Sequence, residues 1–262
     1  MSTKFPVRVL VALFACLPGA PAPALAAPRL LTVAAASNLE PVLKEAVRQF
    51  EAAHPGVTVR TTLGASGRFF AQIQQGAPFD LFLAADARYP AQLVEAGLAS
   101  GKDFPYALGR LAIWVPADSP LDLEKEGLSS LLHLSVRRVA LGNPAVAPYG
   151  VAAEEALREA GLLERVKPKW VLGESVAQAA QFALSGSAQA AFLPLSLVIA
   201  PPLSVQGRHR TLPATSHRPI VQAGVVLKGA REPELARTFV DWLLGPAGRA
   251  LLARYGYELP AR

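Results

Sequence analysis

Apolar positions along this chain switch repeatedly between strand-like and helical spacing. Residues 30–35 form a strand-length run that is apolar apart from Thr32. Leu39, Val42, Leu43, Ala46, Val47 and Phe50 then recur on one helical face over 39–53. His54-Pro55-Gly56 stops that helix, and residues 57–62 alternate as a strand. After a tight turn at 64–67 the pattern predicts a short helix over 68–75, a strand over 79–84, and a helix over 89–96 ended by Gly97. From Gly109 the alternation restarts. Strands are expected at 111–115, 139–141, 169–172 and 190–193, with helices within 119–135, at 151–160 and at 175–184. Ala200-Pro201-Pro202 opens a polar, irregular stretch. A strand at 221–227, an amphipathic helix at 232–244, a break at Gly245-Pro246 and a last helix at 247–255 complete the pattern.

Strands that alternate with helices imply an α/β fold with mainly parallel sheets. We read two lobes: residues 27–108 joined by the returning segment 223–262, and residues 109–222 between them. Two crossings of the chain between lobes can serve as a hinge.

The first 26 residues read as a processing signal. Lys4 and Arg8 precede an apolar core at 9–17, and Ala24-Leu25-Ala26 is an A-x-A site, so cleavage after Ala26 is expected. The apolar run is too short to span a membrane and is followed by Pro18, Pro21 and Pro23. Leu13-Phe14-Ala15-Cys16 loosely matches a lipidation motif, which leaves a lipoprotein as the alternative, although Phe14 is bulky for one. Cys16 is the only cysteine, so cleavage would leave no thiol or disulfide chemistry. The 236 residues after Ala26 suffice for one large or two modest domains. The formal charge of +6 falls to +4 without Lys4 and Arg8, and the charges of both signs are scattered. With no aromatic-basic patch, this balance argues against nucleic acid as a partner. A soluble, exported protein is expected.

The candidate chemistry sits in four small-residue turns, each where a strand hands over to a helix. They are Ala36-Ser37-Asn38, Gly64-Ala65-Ser66-Gly67, Pro148-Tyr149-Gly150 and Gly173-Glu174-Ser175-Val176. The first N–H groups of a helix lack intrahelical partners and carry partial positive charge, so such ends bind anions. Taken singly, each turn has a plainer reading. Ser37 and Asn38 suit helix caps, Gly64 and Gly67 suit a turn, and Val176 suits a core. Repeated four times, two in each expected lobe and all at strand carboxyl ends, the device points to a socket for a small oxyanion.

Other residue types add little. Arg68 suits the rim of the cleft or the open surface equally. Asp80 and Asp86 suit strand-end and helix-capping roles rather than catalysis. His54, His133, His209 and His217 show no metal-ligand spacing, and His54 suits a helix C-cap. A Gly-x-Ser-x-Gly nucleophile motif around Ser66 would need glycine where Arg68 stands, so an exported hydrolase is the weak alternative.

In order along the chain, Ala34-Ala35-Ala36-Ser37-Asn38-Leu39, Gly64-Ala65-Ser66-Gly67, Gly76-Ala77-Pro78-Phe79-Asp80-Leu81-Phe82 and Ala84-Ala85-Asp86 resemble the molybdate-binding periplasmic proteins, the receptors of molybdate ABC importers. Gly142-Asn143-Pro144, Pro148-Tyr149-Gly150, Gly173-Glu174-Ser175-Val176, Gly245-Pro246 and Arg254-Tyr255-Gly256 continue the resemblance over nearly all of the chain after Ala26. The resemblance implies a two-lobed type II periplasmic binding protein fold with the ligand in the interlobe cleft. It also implies oxyanion contacts from Ser37, Ser66, the Tyr149 N–H and the Val176 N–H. Some members add a tyrosine hydroxyl at a position held here by Pro194, which has neither hydroxyl nor N–H. Asn38 takes that fifth place, with Ser196 as the other candidate. The implied ligand is molybdate or tungstate and no cofactor is implied. The implied partner is an inner-membrane permease, and the implied setting is a monomer in the periplasm that closes about its hinge on binding.

The donor chemistry agrees with that ligand. Molybdate, tungstate and sulfate carry two charges and no proton at neutral pH, so their oxygens only accept hydrogen bonds. Hydroxyls of Ser37 and Ser66, the Asn38 amide and backbone N–H groups are all donors. Phosphate keeps a proton that calls for an acceptor, and none of the four turns puts an Asp at an anion-facing position. A receptor for sulfate or phosphate remains the alternative within the same fold.

Overall fold

The structure is a computed structural model and describes residues 2 and 29–260. The expected processing signal and Cys16 lie outside the described residues. The chain begins with β1 (Arg29–Ala36), α1 (Glu40–Ala53), β2 (Val57–Gly64), α2 (Ser66–Gln74), β3 (Leu81–Ala84), α3 (Arg88–Glu95) and β4 (Phe104–Gly109). It crosses at Arg110 into β5 (Leu111–Pro116), α4 (Leu123–Glu126), β6 (Val139–Gly142), α5 (Pro148–Glu159), α6 (Leu163–Val166), β7 (Trp170–Gly173), α7 (Val176–Leu184), β8 (Ala190–Pro194), α8 (Leu195–Val198), α9 (Leu203–Gln206) and β9 (Gly207–Thr211). It then returns to β10 (Ile220–Val226), α10 (Pro233–Leu244) and α11 (Pro246–Arg254).

These strands form two five-stranded sheets of matching design, ordered β2-β1-β3-β10-β4 and β7-β6-β8-β5-β9. In each, three strands run parallel and one antiparallel strand separates the third from the edge. That odd strand is β10 in the first sheet and β5 in the second. Each is the strand that the chain enters directly after a crossing. β10 starts at Ile220, three residues before the expected return at 223.

Register sets the stage for the site. β1 pairs with β2 from Arg29↔Val57 to Ala36↔Gly64, so the turns carrying Ser37 and Ser66 leave the sheet side by side. β6 pairs with β7 from Val139↔Trp170 to Gly142↔Gly173, so the loops leading to Tyr149 and Val176 also leave together. Gly150 keeps the second pair tight. A Cβ there would lie 1.9 Å from the Gly142 carbonyl oxygen, so only glycine lets α5 start this close to the end of β6.

Two strands escape the periodic pattern. β4 carries Pro105, and β9 reads Gly-Arg-His-Arg-Thr; both are edge strands, and the outer side of β4 takes only a single bridge, from Leu108 to Glu258. Edge strands need no continuous apolar run, and charge on them discourages further pairing. The helix expected within 119–135 is a single turn, α4, followed by a 3-10 segment. α5 starts three residues and α11 one residue earlier than periodicity suggests, because Pro148 and Pro246 occupy first helical positions where their missing N–H costs nothing.

Each lobe buries its own core. One face of the first sheet packs α1, α10 and α11 around Phe50 and Phe239, whose rings meet edge-on at 5.0 Å. The other face packs α2 and α3 around Phe69 and Phe82. The second sheet is covered by α5 and α7, with Trp114, Phe192 and a run of small alanines between them.

Asp80 does the strand-end work expected of it. Its carboxylate accepts from Thr32 N–H at 2.7 Å, Thr32 Oγ1 at 2.6 Å and the N–H groups of Arg231 and Glu232. Burial pushes its pKa up, but the hydrogen bonds from Thr32, Arg231 and Glu232 outweigh burial and hold it below the ordinary carboxylate value. A lowered folded-state pKa gives stability that is present above the unfolded value and lost as pH falls through the folded one. Asp80→Asn should therefore lose at least about 1.5 kcal/mol at pH 7, the worth of one charged hydrogen bond. In urea unfolding, the gap between variant and parent should narrow on going from pH 7 to about pH 3. A gap that persists unchanged in acid would remove the ionised carboxylate as the cause.

Candidate oxyanion site between the lobes

The carboxyl ends of both sheets face one another, and the four turns meet there. Ser37, Asn38, Ser66, Tyr149 and Val176 line a single cavity with Ala36, Gly64, Ala65, Ala85, Ala147 and Pro148. Its volume is ≈ 10 Å³, room for about one water molecule. All five candidate residues are buried, and Ser66 is wholly inaccessible. A larger groove of ≈ 600 Å³ runs between α1 and α7 to α9, but it contains none of the four turns.

Each donor follows from local geometry. Ser66 and Val176 are the first residues of α2 and α7, and Tyr149 is the second residue of α5. Their N–H groups find no backbone acceptor among the described residues. Ser66 Oγ accepts the Ala85 N–H at 2.9 Å, which orients the hydroxyl and leaves its own proton free to donate. Ser175 caps α7 by accepting the Gln178 N–H, and Val176 beside it lines the cavity. The lining residues are uncharged, and the buried carboxylate of Asp80 lies at the opposite, amino end of β3.

Asn38 is used differently from what its sequence suggests. Its side-chain amide donates to Gln222 Oε1 at 2.9 Å and to Tyr257 Oη at 2.7 Å, so the amide protons expected to meet the ligand are already committed. What remains for the cavity is the Asn38 main chain. Ser196, the other fifth-donor candidate, is buried and donates to the Asn38 carbonyl at 2.8 Å, and it does not line the cavity. Pro194 is the last residue of β8, one position past the expected end of that strand.

Beneath the cavity lies a neutral network that sequence reading missed. Tyr257 Oη sits 2.9 Å from the Asn38 carbonyl and 3.1 Å from Ser196 Oγ. Tyr106 Oη is 3.1 Å from Gln222 Oε1, and Gln222 Nε2 donates to Tyr149 Oη at 2.9 Å. Burial pushes the Tyr106, Tyr149 and Tyr257 phenols upward, so all three stay neutral donors at physiological pH. The available signal was Gln222, the one polar side chain in the apolar run of β10.

At the mouth, the lobes touch directly. Gly67 N–H donates to the Val146 carbonyl at 3.0 Å, and Arg68 pairs with Glu174 at 2.9 Å. Arg68 is thus an exposed rim residue. An exposed pair is worth about 0–1 kcal/mol, so Arg68→Ala should speed ligand release by at most about fivefold, an effect that stopped-flow release at low and high salt will measure. Faster release than that would give the pair a larger part in closure. Asp86 accepts the Arg88 N–H near the start of α3, and His54 caps α1 with its ring on the Phe50 carbonyl.

Comparison with known proteins agrees with this geometry. Residues 31–258 match the family of bacterial extracellular solute-binding proteins. The molybdate-binding protein ModA of Rhodobacter capsulatus is 37% identical over 258 residues, covering 97% of this chain and 98% of that protein. The molybdate-binding protein ModA of Azotobacter vinelandii is 37% identical over 228 residues, covering 87% and 89%. The structure of the periplasmic molybdate-binding protein of Azotobacter vinelandii superposes with a TM-score of 0.82 at 34% identity, over 88% of this chain and all of that one. The two-lobed fold and a binding role in place of an enzymatic one follow. The chain belongs to the bacterial extracellular solute-binding proteins.

Proposed function

We propose that this protein captures molybdate, and tungstate with it, in the periplasm and delivers it to the permease of an ABC importer. The observation that carries the reading is the meeting of four helix starts from two sheets in one uncharged cavity. A dianion whose oxygens only accept hydrogen bonds suits a site made of donors. The names of the relatives support the choice of molybdate among such anions.

In this reading Ser37 and Ser66 donate through hydroxyl and backbone, and Asn38, Tyr149 and Val176 through backbone N–H. The donors are fixed in advance by the helices that carry them, so little ordering accompanies binding. Charge-assisted hydrogen bonds of about 1.5–3 kcal/mol each can then outweigh the cost of association. Burial of the cavity supports entry to open lobes followed by closure, with the closed form read by the permease. We take the lobes as 27–109 with 220–262, and 110–219, and the protein as a monomer released by cleavage after Ala26.

The test is ligand-dependent stability. Molybdate and tungstate should raise the unfolding temperature in a concentration-dependent way, and sulfate and phosphate far less. Ser66→Ala should weaken molybdate binding by at least about tenfold, since one charged hydrogen bond is worth more than that factor. Unchanged affinity in a folded variant would remove Ser66 from the site.

A further inference from the structure

We propose that Gln222 is the positioning residue of this site, holding donor-bearing residues of the two lobes in one register. The inference rests on the oxyanion-receptor reading above. Gln222 is wholly buried on β10, the strand that receives the chain after its second crossing. A buried amide is costly unless its groups are satisfied, and here both ends are in use. Oε1 accepts from Asn38 Nδ2 and faces Tyr106 Oη, while Nε2 donates to Tyr149 Oη. Asn38 lies in the 3-10 turn just before α1 of the first lobe, and Tyr149 in the first turn of α5 of the second. Both line the cavity, so one side chain joins the two halves of the site from behind.

Two further features of the backbone serve this contact. The β10–β4 register shifts between Gln222 and Ala223, a local irregularity of the kind that re-aims a side chain. At the first crossing, Gly109 leaves the needed space. A Cβ there would lie 2.2 Å from Tyr149 Oη and 2.7 Å from Gln222 Nε2. The two crossings thus meet around the Gln222–Tyr149 bond, and that bond fixes the pivot about which the lobes close. Methionine fills a similar volume without donors or acceptors, so Gln222→Met removes the link with little change in shape.

The test measures molybdate and sulfate affinity by calorimetry for the parent, Gln222→Met, Tyr149→Phe and the double variant. Loss of register should weaken molybdate by at least about tenfold and sulfate less, which narrows the ratio between them. A purely structural defect would instead lower the folded fraction and leave the ratio unchanged. Both single variants break the same bond, so the double variant should be little worse than Gln222→Met alone. Should Gln222→Met not fold, Tyr149→Phe carries the test, because it keeps the ring and the backbone donor. A parent-like ratio in the folded variants, or fully additive losses, would overturn the proposal. Absence of molybdate binding by the parent would instead overturn the receptor reading on which it rests.

Discussion

Asn38→Asp should abolish tight oxyanion binding near neutral pH while leaving the fold intact, and binding should return on acidification. The substitution keeps the side chain's shape. Tyr257 Oη can donate to a carboxylate at that position, and the Gln222 amide can turn to offer its N–H. The network holds no cation, however, since Gln222, Tyr106, Tyr149, Tyr257 and Ser196 are all neutral. A new negative charge would sit in this buried network directly beneath the cavity and repel the dianion. At about 4 Å and an effective dielectric of about 20, each pair of unit charges repels by about 4 kcal/mol, so the loss should reach at least about a thousandfold. Burial raises the pKa of the introduced carboxyl. It is charged above that pKa and neutral below it, so affinity in the variant rises as pH falls. The parent, with no titrating group in its lining, should bind with flat affinity from about pH 6 to about pH 9. Calorimetry across that range checks both statements. An affinity within about tenfold of the parent at pH 8 would place Asn38 away from the ligand.

Val176→Pro should also weaken binding, by a different route. Val176 is the first residue of α7, a position where proline is favoured. Ser175 before it is extended, at φ −148 and ψ 169, as a residue preceding proline must be. The helix therefore survives, but the N–H proposed as a ligand donor is gone and a ring carbon takes its place. Loss of a charged hydrogen bond together with that crowding should weaken molybdate by at least about thirtyfold. Val176→Ala keeps the N–H and should bind within about threefold of the parent. The pair separates backbone donation from side-chain packing. Equal losses in both would mean that the valine side chain matters and the N–H does not.

Much of the fold was legible because its core strands and helices carry strong periodic signals. The 30–35 and 190–193 runs, the α1 stripe from Leu39 to Phe50 and the α10 stripe all correspond to observed elements. The edge strands β4 and β9 were not legible, because a strand paired on one side needs no apolar run. The antiparallel placement of β5 and β10 was equally hidden, since it depends on where the chain re-enters a sheet. In the cavity, the turns identified Ser37, Asn38, Ser66, Tyr149 and Val176, and all five line it. Their supporting contacts were not readable. The Ala85 N–H that orients Ser66, and the network of Gln222, Tyr106 and Tyr257, join residues up to 219 positions apart. A hydroxyl or amide in an apolar stretch hints at such a contact without naming its partner. Asn38 illustrates the limit: its residue type suggested side-chain donation, and tertiary partners took that amide first.

The most direct measurement is a calorimetric titration of ligand-stripped protein with molybdate, tungstate, sulfate and phosphate in turn. Tight one-to-one binding of molybdate and tungstate is expected, with sulfate and phosphate far weaker. A preference for sulfate or phosphate, or no binding of any of the four, would contradict the molybdate reading.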